Sequence, residues 1–143
     1  MREGFILCLC YTEIMKELFN TIIATLLTSF IYLVGGIDVA MVCLLIAIII
    51  DYVSGIIKAF ITKQLSSKTG FKGIVKKVAC LLVVMLAVLI DHVTGNTGAV
   101  RTLVIYYFVA NEGLSIIENL SQAGVPVPQS IKKTLRVMKK ENK

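Results

Sequence analysis

Apolar residues fall in four long runs, at 18–34, 39–60, 74–90 and 100–120, separated by short polar gaps. A run of about 20 apolar residues matches the roughly 30 Å hydrocarbon core of a bilayer, and such continuous length predicts helices rather than strands. Turn residues sit between the runs: Gly35-Gly36-Ile37-Asp38, then Gly95-Asn96-Thr97-Gly98. Gly124-Val125-Pro126-Val127-Pro128 breaks the last helix. Ser130 then opens a tail as a suitable N-cap. In that tail Ile131, Leu135 and Met138 alternate with Lys132, Lys133, Arg136, Lys139 and Lys140. The pattern predicts an all-α membrane protein of about four transmembrane helices with a basic amphipathic C-terminal tail. Its parts are an N-terminal segment 1–17, a transmembrane domain 18–120 and a cytoplasmic tail 121–143. Met15 opens Met-Lys-Glu-Leu and is an alternative translation start.

Polar residues inside the runs carry the candidate chemistry. Thr21, Thr25, Thr28 and Tyr32 form one hydroxylated stripe on the first helix. Such groups bond mostly to their own backbone or to a neighbouring helix. Asp51 lies twelve residues after Val39, roughly 18 Å along its helix and well inside the membrane. Ala47, Asp51, Gly55 and Ala59 recur every four residues, giving a narrow face that lets a second helix approach closely. Glu112 lies twelve residues after Val100, so the two acids are expected at similar depth. Two carboxyl groups at one level would favour the uncharged form of each. Asn111, Ser115 and Glu118 are expected on one face of the fourth helix, with Glu112 on its shoulder. That segment either spans as a bundle-facing helix or lies on the surface. The intramembrane packing or pore candidates are Asp51, Ser54, Gly55, Glu112, Ser115 and Glu118.

Charge supplies the topology. The gap between the second and third runs carries Lys63, Lys68, Lys72, Lys76 and Lys77, whereas the gap between the first two has no Lys or Arg. Only Arg101 lies near the third gap, and the tail is again basic. Basic loops stay on the cytoplasmic side. Four spans with both termini in the cytoplasm satisfy this pattern. Lys63, Lys68, Lys72, Lys76, Lys77, Lys132, Lys133 and Arg136 are therefore expected to set topology and meet lipid headgroups.

Composition narrows the classes. Of 143 residues 57% are hydrophobic and 17% charged, a content that one small soluble core cannot absorb. The net charge of +6 lacks aromatic interleaving, which argues against nucleic acid. Cys43 and Cys80 sit in apolar runs, and Cys8-Leu9-Cys10 has neither redox nor zinc spacing. His92 is the only histidine and closes a helix. No phosphate loop, metal-ligand set or nucleophile–His–acid set is present, so no catalytic, cofactor or metal residue is expected and the chain is not read as an enzyme. A lesion former, a small ion or solute transporter, and an accessory subunit remain.

From Asp51 onward the chain resembles the toxin-secretion and phage-lysis holins, including the holin-like proteins encoded beside large clostridial toxins. The resemblance rests on Asp51-Tyr52-Val53-Ser54-Gly55 and on the stretch Ser66-Ser67-Lys68-Thr69-Gly70-Phe71-Lys72-Gly73-Ile74-Val75-Lys76-Lys77. Its most specific part is Asn111-Glu112-Gly113-Leu114-Ser115-Ile116-Ile117-Glu118-Asn119, running on through Gly124-Val125-Pro126-Val127-Pro128. The likeness covers roughly 39–138. It implies a homo-oligomer in the cytoplasmic membrane that opens lesions, releasing an endolysin or assisting toxin export without required direct contact. It implies no cofactor. The Met1/Met15 pair is similar to the two start codons from which some holins yield a lytic and an inhibitory form. An antiholin, an accessory subunit or a small transporter is the alternative.

Overall fold

A computed structural model of the chain describes residues 2–64, 66–95, 97–131, 133 and 137, and the side chains of those from Tyr11 onward. Its elements are α1 (Arg2–Leu33), α2 (Val39–Ile61), α3 (Ser67–Thr94) and α4 (Ala99–Gln122). All four are long and apolar enough to cross a membrane. The tail residues Lys132, Leu135, Arg136, Met138, Lys139 and Lys140, and the Cys8 and Cys10 side chains, lie outside the described residues. Residues 129–131 are helical, so Ser130 sits inside that turn rather than capping it.

The chain divides into two compact units, Met1–Leu33 and Val34–Lys143. The first is α1 alone. Neither Pro nor Gly interrupts residues 5–34, so the helix crosses the boundary placed at residue 17 without a break. Its hydroxyl stripe folds back on its own turns: Thr21 Oγ1 donates to Glu17 O and Thr25 Oγ1 to Thr21 O, both at 2.8 Å. Backbone bonding of this kind takes up the donors of Thr21 and Thr25, two of the four residues of the stripe.

In the second unit α4 is the central helix. It packs chiefly on α2 and next on α3, while α2 and α3 barely touch. The fourth run is therefore a bundle helix, not a surface one. Contacts fix the directions: the start of α2 meets the start of α4 through Asp38 and Arg101, and Asp51 and Ser54 meet Asn119 farther along both. These two helices run parallel. The end of α3 meets the start of α4 through Asp91 and Arg101, so α3 runs the other way. The dry core is small, with Val34, Met41, Leu44, Val84 and Ile105 fully buried. Large residues such as Ile49, Phe60, Leu82 and Leu86 are exposed on the outside of this unit, as suits side chains that meet hydrocarbon.

The helix ends are built from local chemistry. Asp38 caps α2, its carboxylate accepting from Met41 N at 2.9 Å. Gly98 precedes α4 and offers no capping side chain. Asp91, from the end of α3, takes over that task by accepting from Val100 N at 3.0 Å and Arg101 N at 2.8 Å. A carboxylate there opposes the dipole of its own helix and favours that of the next. At the far end of α4, Gly124 takes φ +89, and Val125 N bonds Leu120 O while Gly124 N bonds Ser121 O. That pair of bonds is a Schellman close, which Pro126 then makes final. The helix α3 begins at Ser67, seven residues before the apolar run that announced it. The two glycines of that stretch cost only about 1 kcal/mol each in a helix interior, too little to hold it as a loop.

Gly35 lies where the turn before α2 passes over α4. A Cβ there would come 2.8 Å from Arg101 Nε and 3.0 Å from Val88 Cγ2, on a backbone with φ +76. Replacing Gly35 by Ala is expected to cost about 1–3 kcal/mol, from the strained backbone and the crowding together. A lowered melting temperature in detergent, with unchanged helix content at low temperature, would report it.

A buried ion cluster across three helices

Asp51 on α2, Lys77 on α3 and Glu112 on α4 meet inside the second unit. Lys77 Nζ donates to Asp51 Oδ2 at 2.6 Å and also to Glu112 Oε2. Asp51 and Glu112 are 8% and 3% exposed, so this is a paired cluster in the interior, not a surface bridge. Asn119 extends it. Its Nδ2 donates to Asp51 Oδ1 at 3.1 Å and to Ser54 Oγ at 3.2 Å. Ser54 Oγ in turn donates to Asp51 O at 2.9 Å. Among the described residues no buried side-chain nitrogen or oxygen is left without a partner. A polar group inside a bilayer protein is tolerable on that condition.

The expectation that Asp51 and Glu112 share a depth agrees with their contact to one ammonium. The expectation that they act directly on each other is corrected: Lys77 stands between them. Removing charge from either acid is therefore not the only way to offset their repulsion. Of the six intramembrane candidates, Asp51, Ser54 and Glu112 come together in the cluster. Gly55 adjoins it, and a Cβ there would lie 3.6 Å from Asn119 Nδ2, an ordinary contact. Ser115 is half-buried and Glu118 exposed, and the structure does not bring them into the cluster. The polar row of α4 is Arg101, Glu112 and Asn119, on the same face as Ile105. It lies one position round the helix from the row of Asn111, Ser115 and Glu118.

Lys77 and Asn119 are the members that pattern reading assigned elsewhere. Lys77 belongs to a run of lysines, and runs are read as solvated loops. Yet Lys77, Val84, Val88 and Asp91 follow helical spacing on the inner face of α3. The lysines at 68 and 72 fall on the opposite side and Lys76 on the flank, and all three are exposed. Lys63 is exposed in the turn after α2, and Lys133 is exposed beyond α4.

A second polar group closes the other end of the unit. Arg101 is 7% exposed and spends its guanidinium on the turn before α2. Nε donates to Val34 O at 2.6 Å and Nη2 to Gly36 O at 2.9 Å. Nη1 and Nη2 grip the two Asp38 carboxylate oxygens at 2.7 and 3.2 Å. The Arg101 guanidinium, with the Met41 N–H, holds the Asp38 carboxyl below its ordinary value of 3.8. In sequence Arg101 is a lone loop-edge cation. In the structure it is a fork that ties two helix starts together.

Four membrane-length helices, three of them joined through interior charges, define a small multi-pass membrane protein. Comparison with known proteins places it more narrowly. A family model described as "Bacteriophage holin family" matches residues 28–140. A probable holin of Bacillus phage phi105 is 39% identical over 99 residues, covering 69% of this chain and 73% of the relative. An uncharacterized 14.9 kDa protein from the nagH 3′ region of Clostridium perfringens is 39% identical over 126 residues, 85% of this chain and 96% of the relative. The YqxH protein of Bacillus subtilis is 40% identical over 111 residues, 78% and 79% of the two chains. No solved structure matches. The chain belongs to the bacteriophage holin family. The match begins at residue 28, within α1, so it takes in all three helices of the second unit with its two polar groups.

Proposed function

We propose that this protein is a holin that accumulates in the cytoplasmic membrane, associates with copies of itself and opens lesions. An endolysin crosses through them to reach the cell wall, or an exported toxin leaves, without direct contact being required. The observation that carries this reading is the match to the phage phi105 probable holin. The geometry is compatible with it. Each helix of the second unit hides polar groups on its inner face and shows large apolar groups outside. Many copies that exchange inner faces for a shared water-lined rim keep their apolar faces in lipid throughout. In that state Asp51, Lys77, Glu112 and Asn119 turn to water, while Ser115 and Glu118 face a neighbouring copy. The basic α2–α3 connection and the basic tail support a topology with both termini on the cytoplasmic side.

Induced expression with a dye that reports membrane potential, with and without an endolysin, tests this. An abrupt loss of potential in both cultures, with lysis only where endolysin is present, is expected. Substrate-coupled flux in living cells would show a transporter instead. A chain harmless alone that only shifts the timing of a partner would be an antiholin or accessory subunit. In the same assay Asp51→Leu is expected to shift the onset of permeabilisation while the protein still inserts. An unchanged onset removes Asp51 from the lesion.

A further inference from the structure

We propose that the first three turns of α3 form a docking strip for anionic phospholipid headgroups, carried by Lys68, Lys72 and Lys76. The three lysines stand four residues apart, so they make one row along the helix, and all three are exposed. Among the described residues none of them has an ion-pair partner. Asp51 and Glu112 are taken by Lys77, and Glu118, exposed farther along α4, makes no ion pair with the row among the described residues. Along α3 and the connection before it the chain supplies no acid, since no Asp or Glu occurs from 52 to 90. The row is therefore a concentrated positive charge with no ion-paired counter-charge among the described residues.

Position gives that charge its partner. The helix α3 has 28 residues, about 42 Å of length against a hydrocarbon core of about 30 Å. The stretch from Val78 to Val93 covers about 24 Å of that core, so the rim of the core falls among the first turns of α3, and the lysine stems reach from there to headgroup level. Beside the lysine row these turns expose Phe71, 69% accessible, with Ile74 and Val75. An apolar strip flanking a lysine row suits a helix end lying against the bilayer boundary, aromatic ring toward the acyl chains and ammonium groups toward phosphate. A phosphodiester headgroup of net negative charge complements the row, whereas a zwitterionic one does not. The five lysines of this connection thus divide by structure. Three face lipid, Lys77 holds the interior cluster, and Lys63 sits in the turn.

The sequence has no tryptophan, so the full-length Phe71→Trp protein carries a single fluorophore at the strip. It is reconstituted in phosphatidylcholine vesicles containing a minority of phosphatidylglycerol. Brominated chains are placed on one lipid or the other at equal total bromine. Stronger quenching from brominated phosphatidylglycerol is expected. That excess should vanish in the Lys68→Gln/Lys72→Gln/Lys76→Gln background and return in the corresponding triple Arg variant. Equal quenching by the two lipids in the lysine-bearing chain overturns the proposal. So does weak quenching by both, which would put the strip in water or under another protein chain. The lesion-forming reading survives either failure, because this measurement needs only an inserted protein.

Discussion

Replacing Lys77 by Met is expected to unfold the second unit at markedly lower denaturant than the unaltered protein. The substitution removes the one cation shared by Asp51 and Glu112 and leaves two carboxylates facing an apolar interior. Deleting one partner of a buried pair costs about 3–5 kcal/mol, chiefly through the charge left behind. Stepwise SDS titration of mixed micelles, followed by helix content, reads the shift in midpoint. The mechanism is separable from lost packing by a compensating variant. Lys77→Met combined with Asp51→Asn and Glu112→Gln has no stranded charge and is expected to recover most of the loss. A midpoint unchanged in Lys77→Met alone would show that the cluster contributes nothing to the unit.

Arg101→Leu is the second substitution expected to act strongly, at the opposite end of the same helices. It leaves Val34 O and Gly36 O without their donor, at about 1–3 kcal/mol for each carbonyl that finds no substitute. It also frees the Asp38 carboxylate that the guanidinium grips at two points. Arg101→Lys is expected to recover only part of this, since an ammonium cannot fork between a carboxylate and two carbonyls. The Asp38 part carries a pH signature. Its carboxyl is held low in the folded protein, so its contribution is complete above its ordinary value of 3.8 and disappears as pH falls through the folded value. The gap in melting temperature between the unaltered protein and Arg101→Leu should therefore narrow in acid. A gap independent of pH would assign the whole effect to the two carbonyls.

What pattern reading could and could not reach follows from the physics of each residue. Four spans were legible because a bilayer demands length and apolarity, both of which sequence states outright. Asp51 and Glu112 stood out because carboxyl groups are rare within such runs. Lys77 did not, because its neighbours are lysines and only the helix phase separates it from them. That phase became usable once α3 was seen to start at Ser67 rather than near Ile74. On α4 an error of one position exchanged Asn119 for Glu118, a rotation of about 100° that swaps an inner face for an outer one. Arg101 was unreadable for a different reason. Two of its partners are backbone carbonyls, whose placement depends on the turn at Gly35 and Gly36 and on no side-chain pattern.

The order of the cluster along the chain bears on how the protein is made. Lys77 follows Asp51 by 26 residues and precedes Glu112 by 35. A nascent chain thus delivers an acid, then its counter-ion, then a second acid to the same ammonium. Asp51 and Lys77 can neutralise each other as a hairpin before α4 leaves the ribosome. Glu112 arrives after both, and its arrival brings the central helix onto the ammonium that already pairs its two neighbours. Synthesis halted before α4 would leave Asp51 and Lys77 as a one-to-one pair, while completed synthesis converts that pair into a three-way junction of two acids on one ammonium.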